Sequence, residues 1–300
     1  MPSTESQSPR FAGIETWRTE DAVEAMLEGQ LAAVSALSSQ TATIASACEA
    51  AADRLRQHSN GRLIYAGAGT SGRIAVQDGV ELYPTFGWPN DRLAFVLAGG
   101  ADALVKSQEG AEDDRDAAIS AIRDLRVTPD DVLIGVAASG RTPFTVEALQ
   151  VGRTQGALTI AVTNNAGMPL TLASDYGVIA ETGSELVAGS TRMKAGTAQK
   201  VVLNLISTTI MLRLGRVYRG LMVDMVISND KLMQRAADMV ARLADVDAEK
   251  AHEILECVDR DIKTAVLVAK GATLQGARES LIRSSGNLGQ ALLLQQTGIA

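Results

Sequence analysis

At 300 residues, with 46% apolar and 21% charged side chains, the chain can bury a large core and has length for one sizeable domain and an accessory one. A net charge of −7 and an aromatic content of 3% provide neither a basic surface nor a stacking platform, which excludes nucleic acid as a general partner. Its two cysteines, Cys48 and Cys257, lie far apart, each inside a helical pattern; a disulfide framework and a zinc site are excluded, and both are expected as core or partly buried thiols.

Met1 to Phe11 carries no apolar h-region, and no apolar run approaches the roughly 20 residues of a membrane span, so no membrane association and a cytoplasmic location are expected. From Glu20 to Gln57 the apolar spacing is that of one or two helices ending before Gly61. Strand-like runs then recur at Arg62–Ala66, Leu93–Ala98, Val132–Ala137, Leu158–Val162 and Tyr176–Ile179. Helical patterns alternate with them at Ile74–Leu82, Ala101–Leu125, Pro143–Thr154 and Pro169–Ala173. That alternation predicts an α/β fold, a doubly wound parallel sheet with helices on both faces. After Gly183 the pattern is helical: Gly196–Leu214, Asn229–Arg242, Asp247–Cys257, and a tail, Ala248 to Leu293, that reads as a three-helix bundle broken at Gly271 and Gly286. His58 and His252 both sit in polar surroundings and are expected at the surface, which leaves proton transfer to Glu, Asp, Lys or Tyr.

Two loops carry the chemistry. Gly67-Ala68-Gly69-Thr70-Ser71-Gly72-Arg73 and Ala137-Ala138-Ser139-Gly140-Arg141-Thr142-Pro143 each follow a strand-like run and open a helix. Glycine lets the backbone approach an anion, the first amides of a helix point at it, and small hydroxyls add donors. Gly67, Gly69 and Gly72 also satisfy G-x-G-x-x-G, yet the next strand ends Leu97-Ala98-Gly99-Gly100, without the acid that a dinucleotide's ribose requires. Hydroxyl-lined loops suit a phosphomonoester better than a pyrophosphate bridge. A third stretch, Gly189 to Thr197, gathers hydroxyls, Arg192 and Lys194 before a long helix.

Gly61 to Arg73, Glu81 before Pro84-Thr85-Phe86-Gly87, Glu109-Gly110-Ala111-Glu112-Asp113, Ala137 to Pro143 and Gly189 to Lys200 together resemble the N-acetylmuramic acid 6-phosphate etherases, a family of the sugar isomerase (SIS) fold. The resemblance implies an N-terminal helical segment over 1–52, an SIS phosphosugar-binding domain over 53–216 and a helical, UBA-like cap over 217–300. It further implies cleavage of the D-lactyl ether of N-acetylmuramic acid 6-phosphate to N-acetylglucosamine 6-phosphate and D-lactate, in peptidoglycan recycling, with no metal or redox cofactor. A homodimer is implied too. Glu81 and Glu112 match the family's catalytic positions. Gly69, Thr70, Ser71, Gly72, Ser139, Gly140, Arg141 and Thr142 fall to the substrate's phosphate, with Glu185, Ser190 and Lys194 as further pocket residues. The chain departs from the family near its start, with Ser8-Pro9 where an Asn-Pro pair is usual and Leu27-Glu28-Gly29-Gln30 where an acidic cluster is usual. Two other readings use the same pocket: a phosphosugar-binding regulator, as in the vertebrate glucokinase regulator that resembles this family, and an aldose–ketose isomerase. Retained carboxylates at both catalytic positions favour the enzyme, and lactate release separates it from the isomerase.

Overall fold

The structure, a computed structural model of the chain, describes residues 3–297. Its main elements begin with helices α1 (Thr19–Ser35) and α2 (Thr41–Gln57), strand β1 (Leu63–Gly67), helices α3 (Gly69–Val80) and α4 (Leu82–Phe86), β2 (Leu93–Leu97) and α5 (Arg115–Asp124). They continue with β3 (Val132–Val136), α6 (Pro143–Thr154), β4 (Leu158–Thr163), α7 (Pro169–Leu172), β5 (Tyr176–Ile179) and α8 (Lys194–Arg213). Helices α9 (Asp230–Ala244), α10 (Ala248–Cys257), α11 (Ile262–Ala269), α12 (Leu274–Arg283) and α13 (Leu288–Gln296) follow among the described residues. Contacts divide it into two units, Met1–Gly79 with Asn90–Thr209, and Val80–Pro89 with Ile210–Ala300.

The first unit is built on the five strands, all parallel, in the order β2-β1-β3-β4-β5. A parallel sheet is covered on both faces, so its central strands are continuous apolar runs, as Leu-Ile-Tyr-Ala-Gly of β1 and Val-Leu-Ile-Gly-Val of β3 are. Ile64, Ala66 and Leu133 face α5, α6 and α7 through Ile122, Phe144, Leu149 and Leu170. On the other face Tyr65 meets α3, and the Cys48 thiol of α2 donates to the Ile206 carbonyl of α8 at 3.7 Å. At the amino end of the two central strands, Asp131 accepts from the Arg62 amide (2.9 Å) and from its guanidinium (3.0 and 2.7 Å).

The expected helix Ala101–Leu125 is corrected to three pieces: short 3-10 turns at Ala101–Leu104 and Ala111–Asp113, then α5. Gly110 adopts a left-handed conformation (φ 74°) and Asp114 caps α5 by accepting from the Ala117 amide at 2.9 Å, so the helix cannot extend backwards. Both histidines lie at the surface, His58 beside Asp130 at 3.0 Å.

The second unit packs α9 to α13 around Met233, Val240, Leu255, Val266 and Leu288. Each of these helices starts on a side-chain cap, from Asn229, Asp247, Asp261, Thr273 and Asn287 in turn. Among the described residues, the tail from Ala248 to Leu293 contains four helices, not three, because Asp259 and Arg260 take left-handed conformations (φ 56° and 61°) and add a break between α10 and α11. Cys257 is exposed at the end of α10, which corrects its expected burial. Val80–Pro89 joins this unit through Arg216, which donates to the Phe86 and Gly87 carbonyls at 2.8 and 2.9 Å and stacks its guanidinium on Trp88. Lys263 is buried and pairs with Asp224 while donating to the Gly286 carbonyl at 2.6 Å. Burial pushes the Asp224 carboxyl up and the Arg216 guanidinium down, with Lys263 opposing the first shift.

Candidate active site

In a sheet of this order the strand sequence reverses between β1 and β3, and ligands bind beyond the carboxyl ends of the strands at that crevice. Gly67 pairs in register with Val136, so the loops after β1 and β3 emerge side by side. They are the two glycine–hydroxyl loops. A cavity of about 360 Å³ opens between them, lined by Gly69, Thr70 and Ser71 from the first loop and Ser139, Arg141 and Thr142 from the second.

Local chemistry explains the loop shapes. Gly67 and Gly72 touch backbone to backbone: a Cβ on Gly72 would stand 2.3 Å from Leu97 Cδ1 and 2.9 Å from the Gly67 carbonyl. Helix α3 therefore starts directly against β1, and the amides of its first turn have no acceptor inside the helix. Gly140 is left-handed (φ 66°), with space for no Cβ beside Met168 and Thr163. Pro143 presets the first turn of α6, and the Thr142 hydroxyl makes no capping bond, so it remains available to a ligand. Ser139 Oγ accepts from the Arg141 amide at 3.2 Å, which closes the second loop on itself.

On the buried side of α3, Asp78 accepts from the Tyr65 hydroxyl (3.0 Å), Asn204 Nδ2 (2.6 Å) and Ser207 Oγ (3.2 Å). Burial pushes the Asp78 carboxyl up, and these donors with Lys200 partly offset it; burial, with Asp78 alongside, lifts the Tyr65 phenol well above its usual range. This network ties α3 to the sheet and to α8.

Glu112 and Asp113 line the same cavity from the turn that Gly110 and Asp114 create. On an unbroken helix they would have formed a solvated acidic face. A second cavity, about 330 Å³, shares Ala68, Gly69 and Glu112 with the first and is lined further by Arg73, Ser107, Gln108 and Glu109. Glu112 thus stands where the two meet.

Other expected residues are placed elsewhere. Gly72 and Gly140 shape the loops rather than line the cavity. Glu185 is fully buried, and its two carboxylate oxygens accept from the Lys194 and Ala195 amides, both at 2.9 Å, so it caps α8. Lys194 Nζ donates to the Ser184 carbonyl at 3.0 Å, and neither Lys194 nor Ser190 lines the cavity. Glu81 belongs to the second unit, exposed and immediately before α4. Glu5, in the polar N-terminal stretch, also lines the cavity without a sequence signal of its own, and from the hydroxyl-rich stretch it is Gly189 and Thr191, flanking Ser190, that do so. Among the described residues, no group of three or more His, Cys, Asp or Glu is placed to hold a metal ion. Nor is any helix among them long and apolar enough to cross a membrane.

Two hydroxyl loops at the switch point of this sheet define an SIS-domain protein, and residues 116–208 match the SIS domain. Residues 43–153 match the glucokinase regulatory protein N-terminal SIS domain. Among solved structures, a putative phosphosugar isomerase involved in capsule formation from Bacteroides fragilis superposes with a TM-score of 0.50 at 20% identity, over 68% of this chain and 95% of that one, which establishes the fold. The N-acetylmuramic acid 6-phosphate etherase of Deinococcus radiodurans is 42% identical over 96% of this chain and 94% of its own length. That of Streptomyces avermitilis is 41% identical over 97% and 93%. The chain belongs to the N-acetylmuramic acid 6-phosphate etherase family and is an enzyme of the carbon–oxygen lyase class.

Proposed function

We propose that this chain cleaves the D-lactyl ether of N-acetylmuramic acid 6-phosphate by elimination followed by hydration, giving N-acetylglucosamine 6-phosphate and D-lactate. The observation that carries the reading is the cavity at the switch point, which gathers two anion-binding loops and the Glu112 carboxylate. An ether oxygen is a poor leaving group. In the open-chain sugar, however, the C1 aldehyde acidifies the C2 proton, so a base can remove it as the C3–O bond breaks and an acid protonates the departing lactyl oxygen. Water then adds its oxygen to C3 of the unsaturated aldehyde and a proton to C2. Glu112 serves as the base and Glu81 as the acid. The phosphate sits on the loops of Gly69 to Gly72 and Ser139 to Thr142, and Glu185, with Ser190 and Lys194 in the same segment, acts at one remove by fixing the start of α8. The decisive assay is D-lactate release from N-acetylmuramic acid 6-phosphate by the purified protein; binding of the phosphosugar without lactate would support the regulator or the isomerase instead.

Ser71→Ala and Ser139→Ala are each expected to raise KM about three- to tenfold with kcat nearly unchanged, because each deletes one hydroxyl donor to a group that does not react. A KM equal to wild type in both variants would remove the phosphate from these loops.

A cytoplasmic homodimer completes the reading. On α1, Val23, Leu27, Leu31 and Val34 recur at helical spacing and are all exposed, Leu31 by 65%. Leu27→Asp with Leu31→Asp is expected to convert a dimer to a monomer in sedimentation equilibrium; a dimer that survives both charges lies on another surface.

A further inference from the structure

Ser3–Glu5 forms a single 3-10 turn in a polar stretch that has no apolar reason to settle on the protein. It is nevertheless clamped. Asn165, 3% exposed just after β4, accepts at Oδ1 from the Ser3 amide (2.7 Å) and the Ser3 hydroxyl (2.9 Å). Its Nδ2 donates to Thr4 Oγ1 (3.0 Å) and to the Ala138 carbonyl (2.8 Å). Thr4 is fully buried. One buried amide, with both donors and both acceptor positions engaged, therefore joins the turn to the second phosphate loop. Buried polar groups satisfied in this way fix a position more than they add stability. What they fix is Glu5, whose side chain is exposed and lines the cavity between the loops.

A carboxylate in that cavity repels a phosphate and attracts neutral donors. The loops supply amides, hydroxyls and Arg141 for the phosphate, which leaves to Glu5, as to Glu112 and Asp113 in the same cavity, the hydroxyl and amide N–H donors of the sugar. We infer that Glu5 is a substrate-contacting residue that accepts hydrogen bonds from hydroxyl or amide N–H donors of the bound amino sugar, with Ser3, Thr4 and Asn165 as its mount. The inference rests on the phosphosugar reading of the cavity and adds to it a second recognition element, read against the sugar rather than the phosphate.

Titration calorimetry with two probes, N-acetylglucosamine 6-phosphate and inorganic phosphate, tests it. Glu5→Ala is expected to weaken the sugar phosphate about tenfold or more, as loss of a charge-assisted hydrogen bond does, and to leave inorganic phosphate unchanged or bound more tightly. Glu5→Gln, which keeps an acceptor without the charge, retains part of the sugar affinity. Ser139→Ala weakens both probes. Sugar affinity untouched by Glu5→Ala, or both probes weakened alike, overturns the inference while the phosphosugar site stands. Wild-type protein that binds neither probe overturns the phosphosugar reading and this inference together.

Discussion

Glu112→Gln is expected to lower kcat for D-lactate release by about 100- to 10,000-fold, the range of a lost general base. The affinity for N-acetylglucosamine 6-phosphate, assigned by the proposal to the loops and Glu5, should change by no more than about twofold. Glutamine keeps the shape and the hydrogen-bonding capacity of the side chain where the two cavities meet, and removes its ability to take a proton. Glu81→Gln is expected to fall equally far in lactate release, and the double variant hardly further, since groups acting on one elimination are not additive. Deuterium exchange separates their roles. If Glu112 is the base, its variant fails to exchange the C2 proton of the sugar in D₂O; if Glu81 is the acid, its variant still exchanges C2 but releases no lactate. Exchange retained in Glu112→Gln and lost in Glu81→Gln would reverse the assignment. Loss confined to KM in either variant would make that residue a binding group.

The sheet and its loops were legible because a parallel strand buried on both faces is an unbroken apolar run, and because a glycine–hydroxyl turn after such a run has few structural uses. Gly67 to Arg73 and Ala137 to Pro143 sit where that logic expects them, at the carboxyl ends of β1 and β3. What stayed hidden depends on single dihedral angles or on pairs distant in sequence. Periodicity carries one helix through Ala101–Leu125, and a left-handed Gly110 followed by the Asp114 cap ends it, turning Glu112 and Asp113 from a helix face into the wall of a cavity. Asp259 and Arg260 break the tail without glycine or proline to announce it. Glu185 reads as one more polar group near a hydroxyl-rich loop, until its burial and its two amide partners make it a helix cap. Glu5 enters the cavity only through Asn165, some 160 positions away, and no local pattern encodes that pairing.

Asp131→Asn is expected to destabilise the protein by about 3 kcal/mol at pH 7, measured by urea unfolding, because it leaves the half-buried Arg62 guanidinium without its counter-charge at the base of the two central strands. The loss should depend on pH. Burial alone would raise the Asp131 carboxyl, but the Arg62 guanidinium and the amides of Thr128 and Arg62 outweigh it and hold the group below the usual carboxylate range. A carboxyl lowered in the folded state stabilises above its unfolded value of about 4 and loses that contribution as pH falls through the folded value. The gap between wild type and Asp131→Asn should therefore be widest near neutrality and narrow on acidification from pH 5 downward. A gap independent of pH would mean that shape, not charge, holds this corner. Because Asp131 lies at the amino ends of β1 and β3 and the two glycine–hydroxyl loops leave their carboxyl ends, the variant should keep wild-type KM wherever it remains folded. The sheet separates the charge that holds the strands together from the loops proposed to bind the sugar phosphate, and the two can fail independently.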